Sequence, residues 1–191
     1  MQKQWLLYIL TLLLLGAGCE SYVPYPRPFG FPRIDFPEKT TYTGFSNETC
    51  PLKFDYPDYG KITRDLPDSC WVDIQFPLYD CKWHFTYRIA GQNKDKDAHF
   101  EDYRRLIYKH SAKATQIKES PISVPAGQGV LFEIYGNVGT PAQVFLYDST
   151  ETHIAMMSFY FQTALKNDSL QPVINYMKGE IKHTLETFQW E

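Results

Sequence analysis

Hydrophobic and polar positions alternate most regularly between Cys70 and Ile89. Cys70, Val72, Ile74 and Phe76 alternate with Trp71, Asp73 and Gln75. Beyond Pro77-Leu78-Tyr79-Asp80, Cys81, Trp83, Phe85 and Tyr87 alternate with Lys82, His84, Thr86 and Arg88. A period of two is that of a strand, and one apolar face marks a half-buried antiparallel sheet. A two-residue turn at Leu78-Tyr79 sets Phe76 opposite Cys81. Both apolar sets then share one face, and His84 and Arg88 share the other.

The spacing changes to three and four after Asp97. Phe100, Tyr103, Leu106, Ile107, His110 and Ala114 predict a helix from about Asp97 to Ile117. Lys109, Lys113 and Lys118 suit the negative pole at its end. Strands are predicted around Ser120–Val124, Gly129–Tyr135, Ala142–Asp148 and His153–Gln162, with turns at Gly136-Asn137-Val138-Gly139 and Asp148-Ser149-Thr150-Glu151. The last of these strands is apolar on both sides, which predicts a central position. Leu170, Val173, Ile174, Met177, Ile181, Leu185 and Phe188 form one stripe of a C-terminal helix, capped by Asp168 or Ser169, with Pro172 in its first turn. Shorter strands are expected near Leu52–Tyr56 and Lys61. The order is hairpin, helix, meander, helix. It predicts an α+β fold, an antiparallel sheet of about six to seven strands packed by two helices.

The N-terminus follows another pattern. Lys3 precedes an apolar run from Trp5 to Leu15, then Gly16-Ala17-Gly18 and Cys19. A run of about 11 residues is shorter than the 20 or so of a membrane-spanning helix. It reads as a secretory signal, residues 1–18, with a small-residue cleavage site. A cysteine directly after that site is the lipid-acceptor position of a bacterial lipoprotein, so Cys19 is the expected lipidation site and membrane anchor. The position three before it, usually Leu, is Gly16. Residues 19–40 carry Pro24, Pro26, Pro28, Pro32 and Pro37, which exclude helix and inner strand. This is an extended tether. Its interleaved rings, Tyr22, Tyr25, Phe29, Phe31 and Phe36, either lie along their own domain or form a docking strip for a partner. Residues 41–191 are expected to form one domain.

Charge and cysteines narrow the picture. Without residues 1–18 the chain holds 18 basic and 22 acidic residues, a net charge of −4. With no basic block, this is no nucleic-acid binder. Cys50, Cys70 and Cys81 remain after Cys19, and export exposes them to an oxidising space. In the predicted register Cys81 lies opposite Phe76, six residues from Cys70, or roughly 20 Å at strand spacing. A disulfide needs Cα atoms within about 7 Å. Cys70–Cys81 is therefore excluded. Cys50–Cys70, which closes the shorter remaining loop, is the candidate pair; three free thiols is the alternative.

The chemistry-bearing patterns are sparse. His84, His99, His110, His153 and His183 show no metal-ligand spacing, and no metal or cofactor is expected. There is no GxSxG, phosphate-cradling glycine loop or CxxC. Asp148 and Asp168 sit where turns and caps use carboxylates. No catalytic residue emerges, and the chain is expected not to be an enzyme.

A resemblance adds to this reading. The stretches 108–114 (YKHSAKA), 148–150 (DST) with His153, 159–161 (FYF), 167–174 (NDSLQPVI) and 185–190 (LETFQW), with the Cys70-Trp71 opening of the hairpin, resemble the gliding motility lipoprotein GldD family of Bacteroidetes. The likeness extends from about Tyr56 to Glu191. It implies an envelope lipoprotein needed for gliding and for the linked type IX secretion machinery, with protein partners there and no catalytic residues to carry over. The order of elements is also similar to the PsbP/Mog1-like fold, which concerns architecture alone. Small-ligand or peptide binding in a pocket between sheet and helices is the second reading.

Overall fold

The computed structural model describes residues 4–5, 33–48, 50–66, 70–91, 95–162 and 167–191. The chain divides into two compact units, Met1–Phe31 and Pro32–Glu191. Cys19, most of the expected signal and the tether as far as residue 32 lie outside the described residues.

The second unit opens with β1 (Tyr42–Asn47), β2 (Cys50–Pro57), β3 (Lys61–Leu66), β4 (Trp71–Phe76) and β5 (Cys81–Ile89). Then come α1 (Lys96–Tyr108), the meander β6 (Ala114–Val124), β7 (Gly127–Gly136), β8 (Ala142–Tyr147) and β9 (His153–Phe161), and finally α2 (Asn167–Thr187) and β10 (Gln189–Trp190). The main sheet has seven strands in the order β3-β4-β5-β9-β8-β7-β6. Every pairing in it is antiparallel. This is the α+β architecture that the hairpin, helix, meander, helix order predicts. The strand expected near Leu52–Tyr56 is β2, and it belongs to a separate three-stranded sheet, β1-β2-β10.

The hairpin pairs Phe76 with Cys81, as its alternation requires. The connection is a four-residue loop rather than a plain two-residue turn. Pro77–Tyr79 form one 3-10 turn, and Asp80 closes it with φ 50° and ψ 42°. Proline presets the first turn residue, and Asp tolerates the left-handed region better than a bulky residue does.

The first helix is shorter than its periodicity suggested. Asp95 caps it by accepting from the Ala98 N–H at 2.8 Å, and α1 ends at Tyr108. A 3-10 turn covers Lys109–Ala112, and Ala114 to Ile117 already belong to β6. These two residues continue the helical spacing yet pack from a strand. A bulge between Ala114 and Gln116 interrupts the alternation, so both join the α1-side core. β-branched Thr115 and Ile117 also favour the strand. At the other end, α2 begins at Asn167, so both Asp168 and Ser169 are inside the helix rather than at its cap.

The two helices cover opposite faces of the sheet. α2 buries Val173, Ile174, Met177, Ile181 and Leu185 against Trp83, Phe85, Val144, Met157 and Phe159, with Leu52 and Phe54 of β2 closing the same core. α1 buries Tyr103 and Ile107 against Phe132, Ile134, Phe145 and Ile154 on the other face. β9 lies between β5 and β8 and feeds both cores, which explains its two apolar sides. α1 covers only the β7-β8-β9 half of its face. The corresponding face of β4 and β5 carries the polar set, and there a helix is missing among the described residues.

Candidate functional site

The polar face of the hairpin gathers a cluster of titratable groups. The register pairs Asp73 with His84, His84 with Ser158, and Ser158 with Gln143, so one polar row crosses four strands. Asp73 is 7% exposed. A carboxylate so buried requires partners, and it has two. One oxygen meets His84 Nδ1 in a very short contact, and the other accepts from Lys82 Nζ at 3.4 Å. His84 Nε2 lies 3.2 Å from Thr86 Oγ1, and Ser158 Oγ donates to Gln143 Oε1 at 3.2 Å. Trp71 meets the His84 ring edge-on at 6.2 Å, and Arg88 sits 5.9 Å over Trp71. The alternation puts both Asp73 and His84 in the polar set of the hairpin but marks neither as one of a pair. The signal was available: a register that sets Phe76 against Cys81 also sets Asp73 against His84.

Carboxylate, imidazole and hydroxyl in line have the connectivity of a nucleophilic triad. Acyl transfer also needs donors aimed at a developing oxyanion. Here the backbone groups of β4, β5 and β9 are engaged in the sheet ladders. Lys82 further occupies the carboxylate. The row is better suited to holding neighbouring strands in register, through side-chain bonds between β4 and β5 and between β9 and β8, and to presenting a charged face.

The other histidines are dispersed. His153 Nδ1 is 2.6 Å from the Tyr87 hydroxyl, and His110 Nε2 is 3.1 Å from Thr140 Oγ1. His183 stacks on Tyr42 with centroids 3.6 Å apart. Among the described residues no group of three or more His, Cys, Asp or Glu could hold a metal ion.

A second buried carboxylate, Glu180, joins the segment before β1 to α2. It accepts from Thr40 Oγ1 at 2.7 Å and from the Tyr42 hydroxyl at 2.8 Å. Phe36 packs at 4.5 Å from Tyr176 and 5.7 Å from Tyr79. Burial, then the hydrogen bond to and charge of Glu180, push the Tyr42 hydroxyl up to about 12. Burial, with the charges of Tyr176 and Glu180, does the same to Tyr79. Both hydroxyls stay protonated; that of Tyr42 donates to Glu180, whereas that of Tyr79 is buried without a hydrogen-bond partner. Glu180 lies beside the apolar stripe of α2, and nothing in the sequence distinguished it from a solvated residue.

Cys50 and Cys70 are joined in a disulfide with Cα atoms 5.1 Å apart. It ties the first residue of β2 to the residue before β4, and so links the two sheets. Cys70 holds φ 48°, a left-handed conformation costing roughly 1–2 kcal/mol for a residue with a Cβ. Cys81 is free and buried, and burial followed by the charge of Asp80 pushes its thiol up to about 12. That makes it a core side chain rather than a nucleophile.

A groove of about 370 Å³ runs between α2 and the outer strands β6 and β7. Its walls are Ile122, Val124, Leu131, Ala142, Ile181 and Leu185. Lys178 Nζ stands at the rim, 2.8 Å from Glu133, and Lys118 reaches the same carboxylate at 3.5 Å. Burial raises the Glu133 pKa, but hydrogen bonds and charge from the two lysines outweigh it, and the net shift is downward.

The gliding motility lipoprotein GldD family matches residues 21–190. The chain belongs to this family. The match spans β1 to β10, so the polar row, the Glu180 cluster and the groove all lie within the GldD domain. No curated protein matches the chain. Among the described residues no helix is long and apolar enough to cross a membrane. Membership in GldD connects the chain with gliding motility and with lipoprotein anchoring in the envelope.

Proposed function

We propose that the protein is a non-enzymatic envelope lipoprotein, held to a membrane through lipid on Cys19 and exposed outside the cytoplasm. It serves as an assembly or accessory component of the gliding apparatus and of the linked type IX secretion machinery. The family match over residues 21–190 carries this reading. The chemistry of the polar row supports it: Asp73, Lys82 and His84 satisfy one another, which is how a sheet stabilises a polar face. A chain that works by holding partners needs a rigid domain and an anchor. The disulfide between Cys50 and Cys70 suits export.

The test is a crosslinking pull-down from native membranes, run on the wild type and on His84→Gln, with motility scored in parallel. The expected result is a gliding or secretion component captured by both, with motility retained. A His84→Gln protein that accumulates and keeps its partner but stops movement argues for a catalytic or ligand site instead.

The groove beside α2 favours a second reading, small-ligand binding. Its volume lies within the range of small-molecule sites, about 300–1,000 Å³.

A further inference from the structure

The segment ahead of β1 is fastened to the domain at few points. Ile34, Phe36 and Thr40 are half-buried, while Arg33, Asp35, Pro37, Glu38 and Lys39 are exposed. Among the described residues, the one backbone-to-backbone hydrogen bond that 33–41 makes is at its end, where Thr41 O accepts from the Asp58 N–H at 3.0 Å. The Thr41 hydroxyl also donates to the Asp58 carboxylate. Arg33 pairs with Asp35, two exposed groups within the segment itself. Residues 33–40 are therefore held mainly by side chains, and Thr41 is the fixed point behind them.

The seat of those side chains is aromatic. Phe36 lies 4.5 Å from the Tyr176 ring and 5.7 Å from Tyr79. Tyr79 in turn meets Tyr59 and Tyr176 edge-on, at 5.8 and 5.7 Å. Thr40 is the second fastening: its hydroxyl donates to Glu180 Oε1 at 2.7 Å and lies 2.9 Å from the Tyr176 hydroxyl. The seat is imperfect at one atom. Tyr79 is 6% exposed, and its hydroxyl is buried without a partner. A hydroxyl kept from water with no partner works against the closed state, and lifting Phe36 off the ring opens it to water. Burial of the Phe36 ring works for the closed state. Two side-chain fastenings against one dry hydroxyl hold less firmly than the strand ladders behind them.

We infer that residues 33–40 form a releasable strap, closed by Phe36 in its seat of tyrosines and by Thr40 on Glu180, which lengthens the free chain ahead of the domain when it opens at Thr41. Opening frees eight residues, about 26 Å at full extension. Its consequence rests on the anchor at Cys19: an open strap lets the domain stand further from its membrane while β1 and the core stay folded.

Isolated membranes carrying the full chain are treated with a protease that cuts after lysine. Lys39 is exposed between the two fastenings, and a cut there requires the strap to lift. The new N-terminus at Thr40 and its passage into the supernatant are followed with time. The wild-type rate should change little with urea well below the unfolding midpoint, as local opening exposes little surface. Phe36→Ala should raise the rate about tenfold and Thr40→Val about threefold, each with the urea midpoint kept. Tyr79→Phe, which keeps the ring and removes the dry hydroxyl, should slow the cut about fivefold. Equal rates in the wild type and Phe36→Ala overturn the strap, because the segment is then never seated. A rate that climbs with urea as steeply as global unfolding overturns it too, because the segment then belongs to the cooperative fold. Protein already in the supernatant before protease is added contradicts the Cys19 anchor instead, and the strap is then judged from the same rates in solution.

Discussion

Asp73 and His84 face each other across the β4-β5 ladder, with a carboxylate oxygen against Nδ1 and Lys82 on the other oxygen. Asp73 stabilises the face only while those partners remain. Asp73→Ala removes an acceptor shared by two cationic or polar side chains, and should cost about 1–3 kcal/mol. Urea unfolding monitored by Trp fluorescence measures it. Motility of this variant should follow its steady-state level on an immunoblot, as expected for a structural role.

The lipid anchor is tested at one atom. Cys19→Ser removes the thiol that would carry lipid, so the protein should leave the membrane fraction or retain its signal. Fractionation with intact-mass measurement reads both outcomes. A processed Ser variant that still sediments with membranes would place the anchor elsewhere.

Non-reducing peptide mapping should recover a Cys50–Cys70 peptide from exported protein and leave Cys81 available only after denaturation. Replacing both Cys50 and Cys70 with Ala should cost about 3 kcal/mol, the loop-closure value for a ring of this length. A Cys70–Cys81 peptide would contradict the Phe76–Cys81 register as well.

Ile181 is 3% exposed and packs in the α2 core. Ile181→Ala should lower stability by about 2–5 kcal/mol through lost burial and the cavity left behind. Thermal unfolding checks it. Any motility defect should be recovered by raising expression, because the side chain belongs to the fold.

Asp148 closes the β8-β9 turn by accepting from the backbone N–H groups of Thr152 and His153, each at 2.8 Å, and of Thr150 at 3.2 Å. Burial alone would raise its pKa, but the hydrogen bonds from Thr150, His153 and Thr152 outweigh it and lower it. A carboxyl with a folded pKa below its unfolded value adds stability that is complete above about pH 4 and lost as pH falls through the folded pKa. Asp148→Asn should therefore lose stability at pH 7 and lose less than the wild type on acidification to pH 3. Urea midpoints at the two pH values decide it, and parallel acid losses in both proteins would contradict the assignment.

What the sequence determined by itself were the features that depend on neighbours along the chain. Alternation fixed the β4-β5 hairpin and its register, because one apolar face admits only one parity of pairing. The stripe from Leu170 to Phe188 fixed α2, because its 3.6-residue period has no strand equivalent. The two apolar sides of β9 announced a central strand. The tertiary structure decided where local signals were ambiguous or silent. Ala114 and Ile117 carried a helix period, yet a bulge let them pack against α1 from a strand, which no local spacing could reveal. β2 read as one more strand, and only its pairing with β1 and β10 placed it in a second sheet. Ser158 joined Asp73 and His84 through a strand pairing more than seventy positions away, and Glu180 met Thr40 and Tyr42 from the far end of the chain. The groove beside α2 forms where Ile122 and Val124 of β6, Leu131 of β7 and Ile181 and Leu185 of α2 come together, and no local spacing announces that meeting. That volume is defined only once the strands and the helix are packed together.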